Sequence, residues 1–482
     1  MTKRALAALA LLLTACTSTP TDNNTLAIAL PFEPVASLSP FSDDALMTTR
    51  IGVGETLVGL DDNGVAQPWL AQSFTRPDDS TVVFTLRDDA TFHDGTPVNA
   101  EAVVRSLQAA WDAASRPKGL GKTPLSFEAV DEHTVKVTSE KPDPILPQRF
   151  ADSGTIILAQ AAYKNPANPT IVGTATGPYV LDSVTTTEAT THKNEKYWDG
   201  TPKLDTLTVD FIPDGPARTN AIRAGEVAMA QAVPIAQLSS LGDAELQSTP
   251  LPRGVYLHLN SARGPFADPK LRAAAAKAVN PDDIVTTIYE NHAGKADGSI
   301  FSTEVNWAVK SANTTTTDAA DPNGTTIRLA TWTERPELGE VASVIAEQLR
   351  AAGFNVDITV TDYNSLEKAL LDGEFDAVIG SRNYQLGAAD PVSFLASDYS
   401  CDGSYNLSRF CDATIDAAID KASSISDIEQ RFEEAARIGA DIVAANAVIP
   451  LAHEYSINAV NHVNDLSKDP FERRLITVDT HR

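Results

Sequence analysis

The chain has 482 residues, with 64 acidic against 38 basic side chains and a formal net charge of −26. Acidity of that size argues against nucleic acid and anionic lipid surfaces as partners, since both would repel it. The length supports a sizeable core divided into two or three domains.

The amino terminus carries Lys3 and Arg4, an unbroken apolar run from Ala5 to Leu13, and then Leu13-Thr14-Ala15-Cys16. This order reads as a signal peptide of the lipoprotein kind over residues 1–15, with the Cys16 sulfur acylated and Cys16 becoming the mature amino terminus. The apolar run is about half of the roughly 20 residues needed to cross a bilayer, so a transmembrane anchor is the poorer reading. Residues 16–24 are then a short polar tether. No second long apolar stretch follows, which leaves the lipid as the only membrane attachment. The expected location is the cell envelope, on the outer face of the cytoplasmic membrane.

Leu26 to Leu30 alternates as a strand, as does Thr81 to Arg87, with Val82, Phe84 and Leu86 on one face. Asn99 is placed to cap a helix whose apolar stripe is Val103, Val104, Leu107 and Trp111. Val135 to Ser139 and Leu207 to Ile212 read as further strands. Asn313 to Gly324, rich in Thr, Asp and Ala, is the best surface loop. The clearest architecture lies next: strand Thr325–Ala330, helix Leu338–Ala352 ended by Gly353, strand Phe354–Thr361, helix Ser365–Leu371 and strand Phe375–Ile379. This βαβαβ order predicts a parallel sheet with right-handed crossovers. Ligands of such sheets sit beyond the carboxyl ends of the strands, here at 330–333 and 380–384.

Chemistry is mostly absent. There is no Gly-x-Ser-x-Gly elbow, Walker loop or Gly-x-Gly-x-x-Gly fingerprint. The eight histidines form no metal-binding pair. His93, in Phe92-His93-Asp94-Gly95, reads as part of a turn. No catalytic residue, metal ligand or cofactor is therefore assigned, and an enzyme is not expected. Cys401 and Cys411, ten residues apart in an exported chain, are most simply a disulfide. Metal ligation is the rival, but no nearby histidine completes a ligand set. Closing that loop would stabilise the fold by roughly 2.7 kcal/mol in the chain-entropy model.

Several segments together carry a resemblance. They are Val83-Phe84-Thr85-Leu86-Arg87 followed by Phe92-His93-Asp94-Gly95-Thr96-Pro97; Gly177-Pro178-Tyr179; Asn194-Glu195-Lys196-Tyr197-Trp198 with Pro202-Lys203-Leu204-Asp205; Ala224-Gly225-Glu226; Leu257-His258-Leu259-Asn260; Pro265 to Arg272; and Thr331 to Leu338. In this order they resemble the substrate-binding lipoproteins of peptide and nickel ABC importers, over nearly the whole mature chain. The resemblance implies a two-lobed α/β fold of the periplasmic-binding-protein kind (cluster C), with an extra subdomain in the first lobe. Lobe I would span 25–255, with an inserted subdomain at about 54–175, and lobe II 256–455; residues 456–482 would return to lobe I. The hinge is expected near Leu251 to Asn260 and Ala452 to Ala459. A monomer would capture a peptide or other small molecule between the lobes and offer it to the ABC permease subunits.

Ligand identity turns on Tyr384 to Pro391. In the peptide-binding branch an aspartate four residues before the proline pairs with the ligand's α-ammonium. Here that place is Gly387, with Tyr384 at the aromatic position, so the anchor is missing or passes to Asp390. Arg382 resembles the Arg-x-Trp of the nickel-binding branch, although that branch's downstream histidine has no match in Val392 to Cys401. Cys401 and Cys411, with Asn406 between them, resemble the disulfide loop of the dipeptide binder. The resemblance therefore implies a ligand site formed by Trp332, Arg382, Asn383, Tyr384 and Asp390. Peptides or peptide-like solutes are the leading ligands, and nickel or other metal chelates are the alternative. A chaperone-like or signalling role on the same scaffold stays open.

Overall fold

The computed structural model describes residues 24–308, 317–385 and 387–482. The signal peptide, Cys16 and most of the tether lie outside them, as does part of the Asn313–Gly324 loop. Among the described residues no helix is long and apolar enough to cross a membrane.

One sheet of eleven strands runs through both lobes. From one edge its order is Asn355–Thr361, Thr326–Trp332, Ala377–Asn383, Glu245–Leu259, Val448–Val460, Met229–Ala230, Thr25–Leu30, Thr206–Phe211, Glu188–Lys193 and Tyr179–Val184, with Ala293–Lys295 added beside Val448–Val460. The first three are mutually parallel, joined by helices Pro336–Ala351 and Tyr363–Leu371. This is the predicted βαβαβ unit. Its central strands are buried on both faces, with Ile327, Leu329, Ile379 and the helix residues Val341, Ile345 and Leu349 fully inside.

The first lobe has its own parallel pairs, Thr25–Leu30 with Thr206–Phe211 and with Met229–Ala230. Beside them stands a separate four-stranded antiparallel sheet built from Ala71–Asp78, Thr81–Leu86, Thr134–Ser139 and Leu125–Ala129. Alternation in Thr81–Leu86 puts Val82, Phe84 and Leu86 inward, where they meet Val103 and Leu107 of helix Ala100–Asp112. Asn99 caps that helix by accepting a hydrogen bond from the Ala102 N–H at 3.0 Å. His93 sits in a turn closed by Gly95 at φ +84°, and its Nε2 lies 2.9 Å from the Gly177 carbonyl. That contact ties two of the resemblance segments together as packing elements.

The lobes are joined by two long antiparallel strands, Glu245–Leu259 and Val448–Val460, paired along almost their whole length. The pairing is broken where Pro250 faces Tyr455 and Gly254 faces His453, so Leu251, Pro252 and Arg253 stand opposite Glu454 alone. Prolines 250 and 252 lack the N–H that a ladder needs, which explains why the bulge forms here. The lobes also touch away from the hinge. Trp307 Nε1 donates to the Asn63 carbonyl at 3.2 Å, Ser426 Oγ to Asp79 at 2.8 Å, and Arg473 to the Gly387 carbonyl at 2.7 Å. Cys401 and Cys411 are joined in a disulfide.

Candidate ligand-binding site

The bulge decides where charge collects, because a bulge re-aims side chains that a regular ladder would alternate. Arg253 lies within it and Glu454 lies opposite. Arg335 reaches the same carboxylate from the end of strand Thr326–Trp332, donating to Glu454 at 3.2 and 3.4 Å. Ser381 Oγ donates to Glu454 at 2.8 Å, and Arg253 Nε stands 3.6 Å away, too far for a hydrogen bond. That Nε is buried and has no partner among the described residues. Burial lowers the Arg253 pKa from its ordinary value, with Arg335 adding like-charge repulsion and Glu454 opposing both. Burial likewise raises Glu337 on the neighbouring helix. Two guanidinium groups thus share one carboxylate at the carboxyl end of the lobe II sheet, leaving an open donor.

The residues expected from sequence lie around this place, and most are engaged. Arg382 makes a two-point ion pair with Asp398 at 2.7 and 2.9 Å and lies over the Tyr405 ring at 3.7 Å. Tyr405 OH meets Tyr363 OH at 2.6 Å, and Tyr363 packs edge-on against Trp332. Trp332 is 7 % exposed and lies so close over Gly380 that a Cβ there would come within 2.7 Å of it. Asn383 Oδ1 accepts the Gln385 N–H at 2.9 Å. Arg382, Trp332 and Asn383 are thus each held by neighbouring protein groups.

Tyr384 differs from the expectation of a ligand-stacking aromatic. It is 1 % exposed, enclosed by Phe301 and Phe394, with its OH accepting the Ser302 N–H at 3.1 Å. Asp390 is also not a free acid. Arg431 donates to both its oxygens at 2.8 and 2.7 Å, and Ser393 completes the set. Burial by itself would raise the Asp390 pKa, but the bonds from Arg431 outweigh it and hold the group below its ordinary value. Gly387, at φ +70°, presents only backbone, and its carbonyl is taken by Arg473.

On the facing lobe, Gln231 just past strand Met229–Ala230 and Arg50 at the end of helix Ala45–Arg50 come together with Glu472. Arg50 donates to Gln231 Oε1 at 3.0 Å and pairs with Glu472 at 3.6 Å. Arg253, Arg335 and Glu454 were missed in the sequence because they come from three distant segments, and only the bulge unites them. The two prolines flanking Leu251 were the available signal. Among the described residues no group of three or more acidic, His or Cys side chains is arranged to hold a metal ion.

Residues 65–406 match the family of bacterial extracellular solute-binding proteins, family 5 (middle region). A glutathione-binding protein of Escherichia coli is 27 % identical, covering 73 % of this chain and 72 % of that protein. The crystal structure of a nickel ABC transporter protein from Bacillus halodurans is 23 % identical with a TM-score of 0.82, over 95 % of this chain and all (100 %) of the other. A Pseudoalteromonas dipeptide-binding protein, solved in complex with Met-Leu, is 21 % identical with a TM-score of 0.73, over 95 % and 99 % of the two chains. The family match spans more than half the chain and the two-lobed fold agrees with it. The chain therefore belongs to the bacterial extracellular solute-binding proteins of family 5, as the extracytoplasmic substrate-binding component of an ABC importer rather than an enzyme.

Proposed function

We propose that this protein captures peptides or peptide-like solutes by a carboxylate, held between Arg335 and Arg253 at the bulge, and delivers them to its permease. The observation that carries this reading is Glu454 shared by two arginines, with the Arg253 Nε left without an acceptor. A planar guanidinium fork suits a carboxylate bidentately. Binding of glutathione by the Escherichia coli relative and of Met-Leu by the Pseudoalteromonas protein supports ligands of this class. Lipid on Cys16 would tether the monomer to the outer face of the cytoplasmic membrane, and replacing Cys16 by Ser should then release it into the medium.

A second reading, a metal chelate with carboxylate arms, is favoured by one observation. Neither of the two positions read as an ammonium anchor offers a free acid, since Asp390 belongs to Arg431 and position 387 is glycine. Calorimetry with matched free and N-acetylated peptides, beside nickel chelates, separates the two. A hundred-fold preference for free amines would restore ordinary peptide recognition. Binding of chelates alone would replace the peptide reading, and mass spectrometry of co-purified ligand gives an independent answer.

A further inference from the structure

A hairpin of the first lobe reaches into the second. Its strands, Val58–Leu60 and Ala66–Pro68, are rooted in the core of the first-lobe subdomain through Val58, Leu60 and Ala66. The turn between them is shaped by its own bonds. Asp61 Oδ1 accepts the N–H groups of Asn63 and Val65, each at 3.0 Å, and the Gly64 N–H donates to the Asp61 carbonyl at 2.9 Å. Gly64 lies at φ +87°, which glycine adopts without steric cost.

The tip of this turn bonds across the lobes. Asn63 Oδ1 accepts the Asn306 N–H at 3.3 Å, and the Asn63 carbonyl accepts Trp307 Nε1 at 3.2 Å and Gln385 Nε2 at 3.5 Å. Val65 packs against the second-lobe core that contains Trp307, Phe394 and Phe432. The exchange is mutual. Ala389, on the loop after strand Ala377–Asn383, is fully buried in the core of the first-lobe subdomain. Its backbone lies at φ +56°, which a non-glycine residue keeps only where its surroundings hold it.

The segment that receives the turn is tied to the hinge. Trp307 packs on Phe301 with ring centroids 5.1 Å apart, and Phe301 meets Tyr384 at 5.1 Å. Glu304 of the same segment accepts from Tyr455 OH, and Tyr455 follows Glu454 directly on the hinge strand.

We propose that the turn Asp61–Val65 is a clasp that shuts the lobes on each other through neutral groups of the protein, so that the closed form is the resting state. The contacts of Asn63 and Val65 join protein to protein directly, and closure then needs no solute to bridge the cleft. Solute entry waits on release of the clasp. Apparent affinity rises with the fraction of protein in the state that holds the ligand, so the clasp strengthens retention whichever solute the cleft takes.

The test is small-angle scattering of the mature chain, shown free of small molecules by mass spectrometry of a denatured sample. Trp307→Phe keeps an aromatic ring on Phe301 and removes the Nε1 donor. Val65→Ser removes the apolar contact and leaves Asn63 in place. Loss of one such hydrogen bond should shift the open-to-closed ratio by about five-fold, and the double variant should shift it further. The ligand-free wild type should show the radius of gyration of the closed structure, and the variants a larger one. Denaturant unfolding checks that both lobes stay folded; if Trp307→Phe does not fold, Val65→Ser carries the test. A ligand-free wild type as expanded as the variants, or a double variant as compact as the wild type, overturns the inference. The carboxylate reading at Arg335 and Arg253 stands or falls separately.

Discussion

Asp390 and Glu454 are both buried carboxylates of the second lobe, and they are handled in opposite ways. Asp390 meets one arginine through both oxygens, and Arg431 gives two more donors to the Ala422 and Ser423 carbonyls. Four of its five N–H groups are used. Glu454 meets two arginines and a serine, none of the arginine geometry is ideal, and one donor stays open. A closed pair of the first kind holds structure, because breaking it strands a buried charge. An oversupplied group of the second kind has something left to offer a ligand.

The strongest way to test that contrast is Arg431→Ala. It should cost about 3–5 kcal/mol of stability by leaving Asp390 buried and unpaired, measured by denaturant unfolding. A loss under about 1 kcal/mol would put Arg431 among the exposed pairs and erase the distinction. Next in size, Arg335→Gln should weaken ligand binding by about 2–3 kcal/mol while stability changes by less than about 1 kcal/mol. Loss of stability with unchanged affinity would reverse the roles assigned here.

His258 sharpens the comparison on the polar side. Its ring is 1 % exposed, neither nitrogen has a partner among the described residues, and burial, helped slightly by Arg382, lowers its pKa from 6.5 to about 3. A depressed histidine is neutral in the fold and must take a proton on unfolding. Its contribution is therefore complete above about pH 6.5 and is lost as the pH falls toward about 3. The slope should be about 1.4 kcal/mol per pH unit in that window. His258→Phe should remove that share of the slope, read from unfolding curves at pH 6 and pH 4; an unchanged slope would show that the ring is not held neutral. Smallest is Gly387→Ala, expected to cost about 1 kcal/mol because the site is left-handed. The added methyl would meet Gly119 across the lobes at 3.4 Å, an ordinary contact, so the cost is that of the backbone alone, read from denaturant unfolding; an unchanged stability would show that the left-handed backbone carries no strain.

The scaffold was legible because its signals are local. Strand Thr326–Trp332 and helix Pro336–Ala351 follow the alternation and the helical stripe within a residue or two of the reading, and Asn99 caps where its side-chain type predicts. The site was not legible, because each side chain's duty is set by a distant partner. Asp390 read as a free acid because Arg431, which claims it, is 41 residues away. Tyr384 read as a strand-end aromatic open to ligand, whereas Phe301 and Phe394 close over it. Arg382 read as a ligand contact, whereas Asp398 and Tyr405, which fix its orientation, carry no motif.

The break in the paired hinge strands has a mechanical consequence. A strand of 15 residues is a stiff beam of roughly 50 Å, and this one is laminated to its neighbour on both sides of two adjoining breaks, between Pro250 and Gly254 and between Val255 and Tyr256. Flexure should concentrate in the segment from Pro250 to Tyr256, so the lobes should swing about one axis with little torsion. Arg253 and Glu454 sit at that fulcrum, and Asn63 with Trp307 and Asp79 with Ser426 join the lobes outside the paired strands. A ligand that shifts the fulcrum by a fraction of an ångström is magnified by the length of the arms. The few polar contacts between the lobes would then act as a catch that a small torque can engage or release.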